Sequence, residues 1–145
     1  MRGLAVRRYT ASDEPAVLGL LQTSLGWLAD ERHTAFFRWK HRDNPFGPSP
    51  AWVALDGERL VGLRVLLRWE FESGDDVVRA ARAVDTATDP AYQGRGIFSA
   101  LTLHAIDDLS GQLGAFDRLE KAAAPGERWS RYDRVLGGCA FFAGR

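Results

Sequence analysis

The stretch that decides the fold is Val84-Asp85-Thr86-Ala87-Thr88-Asp89-Pro90-Ala91-Tyr92-Gln93-Gly94-Arg95-Gly96-Ile97-Phe98-Ser99-Ala100-Leu101-Thr102-Leu103-His104-Ala105-Ile106-Asp107-Asp108-Leu109. It reads in three parts. Val84 to Thr88 is rich in β-branched residues and free of glycine and proline, which suits a strand. Asp89-Pro90 stops that strand, because proline offers no ladder donor. Gln93 to Gly96 is a short turn with two glycines. Ile97, Leu101 and Ala105 then recur at i, i+4 and i+8, flanked by Phe98 and Ile106, and this spacing predicts a helix.

A strand, a glycine turn and a helix start together make an anion site. The first N–H groups of a helix have no intrahelical partner and carry the positive end of its dipole. Glycines permit positive φ and let the backbone approach a ligand closely. A phosphate held there accepts charge-assisted N–H bonds worth roughly 1.5–3 kcal/mol each. Arg95 adds a guanidinium.

Gln93, Gly94, Arg95, Gly96 and Ile97 fit the pattern Gln or Arg, two residues, Gly, one residue, Gly or Ala. The stretch thereby resembles the acetyl-CoA motif of the GCN5-related N-acetyltransferases. The upstream Thr-Asp-Pro-Ala-Tyr run fits as well. Phe98 departs from the pattern, since that place is usually small. The resemblance implies that the backbone from Gln93 to Ile97 holds the pyrophosphate of acetyl-CoA. It also implies that pantetheine lies along Thr86, Ala87 and Thr88 like an added strand. The cofactor-binding set is therefore Thr86, Ala87, Thr88, Gln93, Gly94, Arg95, Gly96 and Ile97.

The 145 residues are enough for one domain with a proper core. With 46% hydrophobic and 26% charged residues the composition is that of an ordinary globular protein. The 19 basic and 19 acidic residues cancel, which argues against a dedicated nucleic-acid or membrane-surface protein. Cys139 is the only cysteine, so no internal disulfide forms, and a reducing, cytoplasmic setting is expected. No apolar run resembles a signal peptide or reaches membrane-spanning length. His33, His41 and His104 are scattered, so no metal site is expected.

Taken in order, Leu4 to Tyr9 is a candidate strand. Ser12 is a candidate N-cap before the stripe Val17, Leu18, Leu21 and Leu25, which Gly26 ends. Asp30 caps a second helix running to about His41. Asn44-Pro45-Phe46-Gly47-Pro48 is a loop dense in breakers. Ala51 to Leu55 is a short strand, and Asp56-Gly57 signals a hairpin. From Leu60 to Glu72 the odd positions Leu63, Val65, Leu67, Trp69 and Phe71 are apolar while even positions are wetter, so one face of a long strand is buried. Val77 to Thr88 returns as the next strand. Gly111 and Gly114 are expected to end the helix that follows. The rest is irregular: Ala115 to Leu119 is an interrupted strand, Glu127 to Leu136 a short helix, and Cys139 to Ala143 a last strand.

The reading is an α+β fold, a three-layer α/β sandwich whose mixed, mostly antiparallel sheet is flanked by helices. One domain is expected over residues 1–145, with an atypical C-terminal third from about 115. In the family, the region of the first two helices walls the acceptor side of the cleft, so Trp27, Trp39 and Phe46 are candidates to touch substrate.

The implied reaction is acyl transfer from a CoA thioester to the primary amine of a small molecule or peptide. Such an amine has a pKa of about 10.4, so deprotonating it at neutral pH costs about 4–5 kcal/mol. Glu70, Glu72 and Asp85 are the carboxylates able to take the proton, and Asp85 stands nearest the cofactor strand. A backbone N–H near Thr86 or Ala87, freed by a strand irregularity, would stabilise the oxyanion. The resemblance gives thiolate protonation to a tyrosine, and Tyr132 is the C-terminal one. The catalytic set is Asp85, Tyr132 and Glu70. The alternative is a non-catalytic acyl-CoA-binding or regulatory domain, which Phe98 and the irregular C-terminal third favour. A homodimer paired through an exposed sheet edge is a third expectation.

Overall fold

The computed structural model describes residues 3–113, with backbone alone at 73 and 110–113. Strand β1 (Leu4–Arg8) leads through a single 3-10 turn into helix α1 (Glu14–Leu25), and helix α2 (Glu31–His41) follows. Strands β2 (Ala51–Asp56), β3 (Arg59–Ser73) and β4 (Asp76–Thr88) come next, then a second 3-10 turn and helix α3 (Ile97–Leu113). The four strands form one sheet in the order β1-β2-β3-β4. The β1–β2 and β2–β3 pairs are antiparallel. A two-residue turn at Gly74 and Asp75 folds β4 back from β3.

Local chemistry explains most boundaries. The Asp30 carboxylate accepts the His33 amide at 2.8 Å and caps α2. Gly26, in left-handed geometry, ends α1. The start of α1 differs from expectation. Ser12 lies inside the 3-10 turn, and Asp13 organises the corner instead. Its carboxylate accepts the Thr10 amide at 2.8 Å, the Thr10 hydroxyl at 2.9 Å and a two-pronged Arg7 guanidinium. Those bonds hold its pKa far below the ordinary carboxylate range, the Arg7 bond contributing most. Gly111 does not end α3. The described helix runs through it to Leu113, because a single glycine costs an established helix only about 1 kcal/mol, and Gly114 lies outside the described residues.

Around Val53 to Val65 the sheet is covered on both faces. In the register, Val53 faces Leu63 and Ala54 faces Gly62, so the two pairs point to opposite sides. On one side Val53, Leu60, Leu63, Val65 and Ala87 pack with Val17, Leu20 and Leu21 of α1 and Phe37 of α2. On the other, Gly62 lies under α3. A Cβ there would sit 2.6 Å from Ile97 Cγ2, 3.0 Å from Leu101 Cδ1 and 3.2 Å from Ala54 Cβ. Only glycine lets the helix approach so closely.

The chain forms two compact units. One comprises Met1–Arg68 with Arg82–Ala105, and the other Trp69–Ala81 with the chain from Ile106. The first contains the core just described and the glycine turn. In the second, the alternation along β3 no longer marks a buried face: Trp69 is 46% exposed and Phe71 56%. Glu70 in this unit pairs with Arg79 at 3.4 Å.

Candidate functional site

The turn after β4 is built for exposure of its backbone. Asp89 accepts the Ala91 amide at 2.9 Å and starts the 3-10 turn Pro90–Tyr92, which Pro90 favours. Gly94 and Gly96 then take φ of 74° and 76°, the left-handed region that favours glycine. The Ala100 amide makes the first helical bond, to Gly96 O at 2.9 Å. Among the described residues, the amides of Gly94, Arg95, Gly96 and Ile97 find no backbone acceptor outside regular structure. Of these residues, Gly94, Gly96 and Ile97 line an open hollow of about 390 Å³ with Thr88, Tyr92, Gln93 and Phe98. No atom lies within 4 Å of where a Cβ at Gly94 or Gly96 would stand. The hollow can therefore take an anion against a helix start.

Cations gather on Tyr92, one of its lining residues. The Arg95 guanidinium stacks 4.8 Å from the Tyr92 ring, and Arg59 stacks 5.4 Å from the same ring. The Tyr92 hydroxyl donates to Asp56 at 3.0 Å, which raises its pKa and fixes the ring. Arg59 is pinned by Asp89 at 2.7 Å. Tyr92 is thus a structural post for two guanidinium groups.

Upstream, β4 carries an irregularity. Asp85 has φ of 48° inside an otherwise extended strand, a conformation that costs a non-glycine residue about 1–2 kcal/mol. Side chains on α2 hold it there. Asp85 Oδ2 accepts from Lys40 Nζ at 2.8 Å and bonds His41 Nε2 at 2.7 Å. His41 is buried, meets the Phe37 ring at 4.9 Å, and places Nδ1 3.0 Å from Ser49 Oγ. Burial alone would push the Asp85 pKa up. The His41 and Lys40 bonds and charges outweigh it, and the net shift is downward. Lys40 also lies 5.4 Å over the Phe36 ring, which stacks on Trp39 at 5.9 Å and contacts Trp27 at 6.0 Å.

Of the residues read from sequence, Thr88, Gln93, Gly94, Gly96 and Ile97 come together around the hollow, and Arg95 is not among its lining residues but lies over the ring of Tyr92, which is. Thr86 lies upstream on β4, and its hydroxyl meets Arg64 at 3.4 Å. The Ala87 side chain is core, 3% exposed, so only its backbone is available to a ligand. Trp27 packs on the core while Trp39 is 62% exposed. Tyr132, and with it the expected last helix and strands, lies outside the described residues. Sequence reasoning missed Lys40 and His41. One signal was available: His41 is four residues after Phe37, on the buried stripe of α2, and a histidine in that place needs a polar partner.

The chain belongs to the acetyltransferase (GNAT) domain family, whose model matches residues 5–116. No curated protein matches the sequence. Solved structures share the fold at low identity. A conserved protein from Enterococcus faecalis, a probable N-acyltransferase, superposes with a TM-score of 0.66 at 16% identity over 76% of this chain and 27% of its own. A GCN5-related N-acetyltransferase from Kribbella flavida gives 0.56 at 20% identity, over 73% of this chain and 27% of its own. A ribosomal-protein alanine N-acetyltransferase from Escherichia coli gives 0.55 at 18% identity, over 76% of this chain and 61% of its own. The chain thus spans about a quarter of the first two proteins and under two thirds of the third. Among the described residues no cluster of His, Cys, Asp or Glu is arranged to hold a metal ion, and no helix is long and apolar enough to cross a membrane.

Proposed function

We propose that the chain transfers an acyl group, acetyl in the simplest case, from a CoA thioester to a primary amine of a small molecule or peptide. One observation carries this reading: Gly94, Gly96 and Ile97, whose amides find no backbone acceptor outside regular structure among the described residues, line a hollow at the start of α3, just downstream of a kinked strand. The amides, with Arg95, grip the diphosphate. Thr88, Thr86 and the backbone of Ala87 guide pantetheine along β4. The kink at Asp85 frees a backbone N–H at Thr86 or Ala87 to face the thioester oxygen as it gains charge.

The amine nitrogen attacks the thioester carbon, the C–N bond forms, and sulfur leaves as thiolate. Asp85, with its depressed pKa, is a weak base. Its part here is to hold the kink and receive the amine proton by way of water. Proximity supplies much of the rate and makes a weak base sufficient. Tyr132 protonates the thiolate in this reading. Glu70, tied to Arg79, is the less favoured base.

A second reading, a non-catalytic acyl-CoA-binding domain, draws support from the commitment of Asp85 to Lys40 and His41. Titration calorimetry with acetyl-CoA tests the shared premise, and absence of binding at millimolar cofactor sinks both readings. Thiol release against mixed amines then separates them, since clear turnover removes the second.

A further inference from the structure

Arg64 is a partly buried guanidinium with no carboxylate within ion-pair distance among the described residues. It stands on β3 opposite Trp52 of β2. Its Nη1 lies 3.4 Å from the Thr86 hydroxyl, and its Cζ lies 5.0 Å from the centre of the Phe98 ring. Thr86 directly follows the kink of β4, and Phe98 lines the hollow. The cation therefore bridges the kink and the hollow. Burial lowers its pKa and no acid among the described residues offsets that, yet a guanidinium keeps its proton. A partly desolvated cation held, among the described residues, by a ring face and one long hydroxyl contact is incompletely paired, and an anion would complete it.

The same geometry gives Phe98 a purpose. A small residue at this place would leave the guanidinium without a π face, whereas the phenyl ring supplies one. The ring is 54% exposed, so packing alone does not account for it.

We propose that Arg64, seated on Phe98, selects an acyl donor whose acyl chain ends in a carboxylate, a dicarboxylic monothioester of the succinyl or malonyl type. The inference rests on the acyl-CoA reading above. The Thr86 contact puts the guanidinium beside the kink, where the thioester carbonyl is read to lie. The transfer itself is unchanged: C–N forms, C–S breaks, sulfur leaves as thiolate and is protonated, and the distal carboxylate passes intact to the product. An oxyanion of CoA itself would have the same chemistry toward Arg64, so the test separates the two sources.

Calorimetry with CoA, acetyl-CoA and succinyl-CoA is run on the whole chain and on Arg64→Met and Arg64→Lys. The wild type is expected to bind succinyl-CoA about tenfold tighter than acetyl-CoA, the scale of one charge-assisted pair. Arg64→Met should erase that preference and leave CoA affinity within about twofold, while Arg64→Lys should keep part of it. Binding of CoA by the wild type without donor preference overturns this inference alone. An equal loss of all three ligands in Arg64→Met also overturns it, because the guanidinium then serves the phosphates. Should Arg64→Met not fold, the wild-type preference and the Arg64→Lys result decide the matter. Failure of the wild type to bind CoA at all overturns the acyl-CoA reading beneath it.

Discussion

The two parts of the candidate site are made differently. The turn from Gln93 to Ile97 presents main-chain amides, and the residues that shape it are neighbours in sequence. The second part of the candidate site is a side-chain cluster, Lys40 and His41 from α2 on Asp85 of β4, joining residues 44 and 45 positions apart. Backbone sites tolerate changes of side chain but not of conformation. Side-chain clusters tolerate small shifts of backbone but not the loss of a charged partner. Substitutions in the two parts should therefore fail in different ways.

The largest effect is expected in the turn. Gly96→Glu places an acidic side chain in the nest and forces a non-glycine residue to φ of 76°. CoA affinity should fall by more than about 100-fold, worth about 2.7 kcal/mol or more. Stability should fall only by the conformational cost of about 1–2 kcal/mol, since a Cβ there meets no atom within 4 Å. Calorimetry and thermal melting read the two quantities separately. Retained CoA affinity would place the diphosphate elsewhere.

Asp85→Ala should reverse that pattern. It removes a carboxylate that is 12% exposed and leaves Lys40 and buried His41 without their anion. Stability should drop by about 3 kcal/mol, the low end for breaking a buried pair. Thiol-release turnover should fall with it, while CoA affinity stays within a few-fold. A stable variant with full turnover would show that the kink needs no side-chain anchor. Tyr132→Phe is expected to lower turnover more than CoA affinity, and equal losses in the two would mark Tyr132 as packing.

This contrast also explains what was legible in the chain. The turn is written in local spacing: Pro90, two glycines, then Ile97, Leu101 and Ala105 at helical intervals. The caps and hairpin were equally local, so Asp30, Gly26 and Gly57 marked their positions correctly. The cluster depends on the packing of α2 over the sheet, which no local pattern encodes. Asp85 was visible as a charge near the right strand, but its partners and its positive φ were not. The pairing of Arg64 with Phe98 was hidden for the same reason, although Phe98 declared itself by breaking the motif. The alternation in β3 misled beyond Leu67, because a period of two marks two faces and not whether anything covers them. Trp69 and Phe71 keep the pattern and remain exposed.

A fourth substitution compares the α2 cluster with another ion pair of the same unit. Asp13 and Asp85 are both held below the ordinary carboxylate range, Asp13 by Arg7 and the Thr10 groups, Asp85 by His41 and Lys40 against its burial. A carboxylate whose folded pKa is depressed contributes stability above its unfolded pKa of about 3.9 and loses it as pH falls toward the folded value. The wild type should therefore soften below about pH 4. Asp13→Asn should cost about 2 kcal/mol at neutral pH and flatten part of that acid-side loss. If the melting temperature of the variant tracks the wild type from pH 6 to pH 3, the Arg7 pair contributes nothing to folding.

The smallest effect belongs to a contact at the other end of the cluster's helix. Asp30 caps α2 through the His33 amide, and α2 carries Lys40 and His41 at its far end. Asp30→Ala should cost about 1 kcal/mol of stability, as N-cap losses usually do. Fraying is confined to the first turn, so the last turn, where Lys40 and His41 sit, should keep its geometry. Turnover should consequently hold within about twofold of wild type, while melting shifts down by a few degrees. A large loss of turnover at that modest stability cost would mean that the cluster is tuned by the whole length of α2. The two parts would then differ more than their local chemistry implies: the turn complete in itself, the cluster dependent on a cap ten residues away from Lys40.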